Sequence, residues 1–342
     1  MAELYPNIFK NVIPLPNNPL ESINNYLILS KEEALMVDTA FNRDLSVKKM
    51  QEIIRVHDLD LSKLRLYLTH LHSDHTGLAK NFEKAGTKIL MGEVDGEYTV
   101  STSSPDSPYW KQLVEMGHEE GLDGDHLSIE DHPGYRFRPK EPFSYTPVRE
   151  GEGIDVGDFH FEVIDLKGHT PGHLGLYEPE KKILFCGDHI LGSITPNIQY
   201  WGPDFGDALA FYFENLRKVY NMEIALLLSS HRALVKDYRA RIRTLFAHHD
   251  RRLREALTAL LEEGPMTCRE VTCRMHWDIS ARNFDDFPKS QKWFAVGEAE
   301  AHLVFLMGQG LADREDRDGV SYYYAKTKAL PQRPLASLRP DQ

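Results

Sequence analysis

Cysteine is scarce in this chain: three in 342 residues, at positions 186, 268 and 273, with no CxxC pair. That count provides no disulfide framework and suits a reducing compartment. Positive charge is short too. Forty Lys and Arg face 52 Asp and Glu, a formal net charge of −12. Such a balance argues against a chain whose main task is to grip nucleic acid by its phosphates. Long apolar runs are missing. The opening "MAELYPNIFK" has no apolar signal core, and no stretch approaches the ~20 residues a membrane helix needs. The expectation is a cytoplasmic protein with no membrane partner. Internal repeats are absent as well.

What the chain has is length enough for a substantial core and two domains. "NNYLILS" and "EALMVDTA" read as aliphatic-rich strands, and "SVKKMQEIIRVHD" carries Val47, Met50, Ile53 and Ile54 at helical spacing. "LRLYLT" and "TKILMG" read as strands on either side of a helix, "GLAKNFEKAG", which Gly86 ends. From 95 to 153 the chain turns polar and rich in Pro, Gly and acids, and only "YWKQLVEMGHEEG" looks helical. This stretch reads as a lid-like insertion. Strands resume with "FHFEVIDLKG", "LGLYEPEKKILFCGD" and "IALLLSSH". Beyond about 240 the pattern is helix, turn, helix, helix and a hairpin turning at "DRDG". The expected division is a catalytic domain over 1–240, a winged-helix-like domain over 241–328 and a loosely ordered, Pro-rich tail over 329–342.

The densest chemistry lies in "YLTHLHSDHTG" at 67–77, which puts His70, His72, Asp74 and His75 within six residues. Three other ligand-type residues share its setting just past an apolar strand. His169 follows "FEVIDLKG", Asp188 follows "ILFCG", and His231 follows "IALLLSS". Buried strands that each end in such a residue would gather them along one edge of a sheet. Imidazole and carboxylate suit zinc and similar divalent ions. The seven divide into His70, His72 and His169 for one ion and Asp74, His75 and His231 for another, with Asp188 able to bridge. Two ions roughly 3.5–4 Å apart can share a hydroxide. Zinc is the default, and the same donors accept iron or manganese.

With "THLHSDHTG", "GHTPGH", "FCGDHIL" and the strand-final His231 in this order, the chain resembles the metallo-β-lactamase-fold hydrolase superfamily over about 20–235. "LKGHTPGHLGLY" and "LFCGDHILGSITPN" are most similar to its glyoxalase II-like, thioesterase and lactonase branches. The resemblance implies an α/β (α+β) fold: a four-layer αββα sandwich followed by a smaller winged-helix-like domain. It implies a binuclear hydrolase in which a metal-bridging hydroxide attacks the carbonyl of a thioester, ester or lactone. Asp74 would both ligate and orient the nucleophile, and the expected partner is a small acyl compound. Class B1 β-lactamases use a cysteine ligand, and none is available here. Cys186 falls inside a strand and reads as core, so antibiotic hydrolysis is not expected.

Asp38 of "MVDTA" is either a carboxylate orienting the ligating imidazoles or a turn residue. His173 and His189 are expected to hydrogen-bond beside the site, since seven donors already complete both ion environments. The remaining histidines show no partner spacing and read as packing or surface residues. Acids such as Glu298 and Glu300 in the C-terminal helices favour packing or homodimer formation over DNA binding. The alternatives are a phosphodiesterase or ribonuclease of the same fold, a DNA-binding regulator with the metallo-domain as sensor, and a mononuclear iron dioxygenase with fewer ligands.

Overall fold

Seven strands line up in chain order as one sheet in the computed structural model, which describes residues 2–338. They are β1 (Ala2–Tyr5), β2 (Ile8–Pro14), β3 (Ser22–Leu29), β4 (Ala34–Val37), β5 (Leu64–Leu68), β6 (Lys88–Gly92) and β7 (Thr146–Val148). β1 to β4 run antiparallel and β4 to β7 parallel. The parallel strands are connected through α1 (Asp44–Val56), α2 (Ser73–Thr76), α3 (Ala79–Lys84) and α4 (Glu93–Thr102). A second sheet of five strands has the order β12-β11-β10-β9-β8. Its members are β8 (Gly153–Val156), β9 (Phe159–Asp165), β10 (Leu174–Glu178), β11 (Ile183–Gly187) and β12 (Leu226–Ser229).

Alternation along the strands builds two apolar layers. In β3, Tyr26 and Ile28 join Val37 and Tyr67 against Val156, Phe161, Val163, Leu176 and Phe185 of the second sheet. Tyr26 and Phe185 meet edge to face, with ring centroids 5.3 Å apart. Ile23 and Leu27, on the opposite face of β3, belong to the layer that packs Met36, Leu66, Leu68 and Met91 beneath Met50, Ile53 and Phe82. Met50 and Ile53 of α1 and Phe82 of α3 thus cover the outer face of the first sheet.

By its packing the chain separates into two compact units. The first comprises Met1–Ser107, Phe137–Pro196 and Asn221–Tyr238 and holds both sheets. The second comprises Pro108–Arg136, Asn197–Tyr220 and Arg239–Gln342. No single cut near 240 separates them, because two earlier segments belong to the second unit. The 95–153 stretch is correspondingly more regular than its composition suggests. It holds most of α4, then α5 (Pro108–Glu119) and α6 (Pro133–Phe137), and it contributes β7 to the first sheet. The second unit also contains all but the last residue of α7 (Ala208–Asn221), a helix the sequence reading does not anticipate, and most of α8 (Tyr238–Glu263).

After α8 come β13 (Met266–Thr267), α9 (Cys268–Thr272), α10 (Lys289–Gly308), β14 (Ala312–Arg317) and β15 (Val320–Ala325), with the sheet order β13-β15-β14. Thr267 and Glu270 form a capping box at the start of α9: each side chain bonds the other's backbone N–H. Asp318 (φ 56°) and Gly319 (φ 84°) make the hairpin turn, and positive φ at both central residues is the type I′ requirement. The tail expected to be loose is anchored over its described part, 329–338. Arg254 donates to the Pro331 and Arg333 carbonyls, Arg217 donates to the Ser337 carbonyl, and Ala336 is buried. Residues 339–342 of that expected tail lie outside the described residues. Among the described residues no helix is long and apolar enough to cross a membrane.

Candidate metal centre

Strand ends of both sheets place the donors. His70 lies two residues past β5, His72 precedes α2, and Asp74 and His75 sit within it. His169 occupies the turn between β9 and β10, where Asp165 pairs with Leu174. Gly187, the last residue of β11, pairs with Ser229, the last of β12. Asp188 and His231 therefore leave the second sheet side by side. Six of the seven are buried, and His72 is half-buried.

The donor atoms converge as two adjoining sets. In the first, His72 Nδ1 lies 3.1 Å from His70 Nε2 and 3.0 Å from His169 Nε2. In the second, Asp74 Oδ2 lies 3.3 Å from His231 Nε2 and 3.9 Å from His75 Nε2. Asp188 reaches both: its Oδ2 is 3.7 Å from His169 Nε2 and 3.4 Å from His231 Nε2, and its Oδ1 is 3.7 Å from His75 Nε2. Three groups drawn from these residues each keep their candidate ligand atoms within 4.8 Å of one another. All seven predicted donors are brought together.

The outward nitrogens fix the tautomers. His75 Nδ1 donates to Asp38 Oδ2 at 2.8 Å, and His231 Nδ1 donates to the Ser22 carbonyl at 2.9 Å. Thr69 gives its single hydroxyl proton to Asp38, so its oxygen accepts from His70 Nδ1 at 3.0 Å. In each ring the Nδ1 proton has its own acceptor, so Nε2 faces the centre and is the nitrogen whose lone pair an ion would take, after His75 and His231 release a proton there. Asp38 is thus the orienting carboxylate, not a turn residue. It is fully buried and left-handed (φ 61°), and it also accepts from the Thr69 N–H and the Ser230 hydroxyl. His173 behaves as expected of a neighbour: its Nε2 accepts the Asp188 N–H at 3.2 Å. His189 is buried beside Asp188 and belongs to none of the three groups. Cys186 is core, and burial pushes its thiol up to about 12.

The electrostatics ask for a cation. Burial opposes ionisation of Asp74, yet His75 and His231 hold its carboxyl at about 2. Burial likewise opposes a charge on His231, and Asp188 and Asp74 still push it up to about 10. His75 rises well above its ordinary value against burial, driven by Asp38, Asp188 and Asp74. Burial, reinforced by the neighbouring rings, lowers His70 well below the imidazole range and takes His72 to about 3. Four buried atoms, Asp74 Oδ2, His75 Nε2, Asp188 Oδ1 and His231 Nε2, have no hydrogen-bond partner among the described residues. Converging lone pairs, two carboxylates and orphaned buried atoms together fit divalent ions.

The sequence reading misses Asp95, Thr170, Ser230 and Asn24. Asp95 is fully buried in α4 and accepts hydrogen bonds from the loops after β5 and β9. Asn24 Nδ2 donates to the Ser229 and Arg232 carbonyls and so holds the strand end that carries His231. These partners lie far apart in sequence and follow no motif spacing.

Comparison with known proteins gives a consistent set of relatives. The family pattern described as the metallo-beta-lactamase superfamily matches residues 18–236, more than half of the chain. A hydroxyacylglutathione hydrolase of Haemophilus influenzae is 33% identical over 136 residues. That alignment covers 40% of this chain and 54% of the relative, about half its length. A probable metallo-hydrolase of Bacillus subtilis is 26% identical over 81% of this chain and 86% of its own. The crystal structure of a metallo-beta-lactamase family protein from Thermus thermophilus superposes with a TM-score of 0.80 at 24% identity. It covers 95% of this chain and 100% of that one, a likeness of fold.

Proposed function

The chain belongs to the metallo-beta-lactamase superfamily, and from that premise we propose that it is a metal-dependent hydrolase of acyl thioesters, esters or lactones. The observation that carries the reading is the pair of adjoining donor sets with Asp188 reaching both. His70, His72 and His169 would hold one divalent ion and Asp74, His75 and His231 the other, zinc being the first choice. Bound ions supply a hydroxide at neutral pH and Lewis-acid polarisation of the acyl oxygen.

The rest is done by this chain's own groups. Asp38 and the Ser22 carbonyl keep the Nδ1 protons of His75 and His231 in place, so both Nε2 atoms stay available as donors. His173 steadies the backbone at Asp188. Asp74, ionised at neutral pH, would help to hold the ion and could orient the attacking water through its carboxylate. No serine or cysteine nucleophile is needed.

The acyl assignment draws on weaker support. One relative is named a hydroxyacylglutathione hydrolase. The net charge of −12 gives a polyanion an unfavourable long-range field. In the second unit, Arg269 and Lys292 both pair with Asp125, which removes two bases from any phosphate-binding role. Cys186, Cys268 and Cys273 are unpaired, in keeping with a cytoplasmic location. The test compares kcat/KM, at equal ionic strength, for a short acyl thioester, a lactone and bis-p-nitrophenyl phosphate. The acyl substrates should be preferred, and a chelator should abolish the activity. A tenfold preference for the phosphodiester, about 1.4 kcal/mol, overturns the acyl assignment.

A further inference from the structure

Two buried aspartates stand behind the donor sets, and each ties together loops from both sheets. Asp38 receives His75, Thr69 and the Ser230 hydroxyl, and Ser230 precedes His231. It therefore braces the pair of loops that carry His75 and His231. Asp95 makes the corresponding connection elsewhere. Its Oδ2 accepts the Leu71 N–H at 3.0 Å, between His70 and His72. The same oxygen accepts the Thr170 hydroxyl, next to His169. Its Oδ1 accepts the Gly172 N–H at 2.6 Å. One carboxylate thus fastens the loop of His70 and His72, after β5, to the loop of His169, after β9.

Close packing holds this clamp in place. A Cβ at Gly172 would lie 2.6 Å from the Asp95 nitrogen and 2.8 Å from its Oδ1. A Cβ at Gly92 would lie 2.8 Å from the Gly172 carbonyl oxygen. Backbone atoms cannot yield at those distances, so glycine at 92 and 172 is what lets the second-sheet loop seat on α4. Asp95 itself is fully buried. Its bonds fall where these loops carry the three histidines: at Leu71, between His70 and His72, and at Thr170 and Gly172, beside His169.

We propose that Asp95 is a positioning residue for the three-histidine set, fastening His169 to His70 and His72, whereas Asp38 reaches that set only through the Thr69 hydroxyl on His70 and otherwise braces His75 and His231. The inference rests on the two-ion reading above. It follows that loss of the Asp95 clamp loosens His169 relative to His70 and His72 and leaves Asp74, His75 and His231 in register.

The test is a Co(II) titration of the full-length metal-free chain, followed by calorimetry and by visible and paramagnetically shifted NMR spectra. Wild type, Asp95→Asn and Thr170→Val are compared, with His169→Ala and His231→Ala as reference variants for each set. Wild type should take two ions. Asp95→Asn should weaken one of them about ten- to a hundredfold, the range typical of lost outer partners, and its residual spectrum should match that of His169→Ala. Thr170→Val, which removes one bond of the clamp, should shift the same site in the same direction and by less. It keeps the question answerable if Asp95→Asn fails to fold. Unchanged affinities in both variants, or equal weakening of both sites, overturn the inference. Binding of fewer than two ions by wild type overturns the two-ion reading itself.

Discussion

Asp188 is the residue on which both donor sets depend. Its two oxygens lie 3.4–3.7 Å from nitrogens of His231, His75 and His169, and both sets of partners contribute. His75 and His231 hold it ionised against the cost of burial. Asp188→Ala removes the carboxylate and leaves Nε2 atoms of both sets facing an apolar methyl. Several kcal/mol of charge stabilisation go with it, so kcat/KM should fall on the order of a thousandfold. Elemental analysis should find at least one ion lost. Near-normal turnover in a fully loaded variant would show that the carboxylate does not join the two sets. Asp38 shows why a single residue can be hard to read from sequence. As Asp in "MVDTA" it looks equally like a turn, and only its left-handed φ of 61° and its four converging donors identify it as the orienting group.

Elements bring together groups that no local pattern relates, and the second unit offers a testable case. The end of α5, the middle of α10 and β15 meet at Glu120, Glu300 and Tyr323, all buried, with the Tyr323 hydroxyl donating to Glu300 Oε1 at 3.1 Å. Burial and the neighbouring Glu300 raise the Glu120 carboxyl well above its usual range, and burial raises Glu300 as well. Glu119 adds to the effect, while Arg314 favours an ionised Glu300. A carboxyl whose native pKa exceeds its unfolded value supports the fold when protonated. That support is complete below the unfolded value of about 4.3 and is lost as pH rises through the native one. Glu300→Gln keeps the shape and the Tyr323 bond but cannot ionise. Denaturant melts at pH 5 and pH 8 should show the variant gaining on wild type toward pH 8. A pH-independent difference would mean that the pair does not titrate on unfolding. The elements themselves were unequally legible. β5, β9, β11 and β12 announce themselves as aliphatic runs that stop at a ligand, so the site followed from its strands. α7 does not, because Phe211, Tyr212 and Phe213 in succession mask the spacing of Leu209, Tyr212, Phe213 and Leu216 that it buries. Asp95 was invisible for a different reason: its partners are 24, 75 and 77 residues away.

For the whole molecule, the proposed ions should act as folding ligands as well as catalysts. All seven donors belong to the first unit but come from both of its sheets and from strands more than 150 residues apart, β5 and β12. An unfolded chain cannot hold them in register, so ions bind the native state almost exclusively. At a free concentration a hundred times the dissociation constant, each ion contributes about 2.7 kcal/mol. For a body of 150–250 residues each kcal/mol moves the melting temperature by about 2–4 °C. Two ions therefore predict that exhaustive chelation lowers the melting temperature on the order of 10 °C or more. Restoring a single equivalent should recover only part of the shift. The raised His75 and His231 add a sign to this. Both rings must give up a proton as the ions bind, so the stabilisation should grow from pH 6 to pH 8. Differential scanning calorimetry of chelated and reloaded protein at these two pH values makes the measurement. A transition that ignores the chelator at both would mean that the converging donors hold no ion.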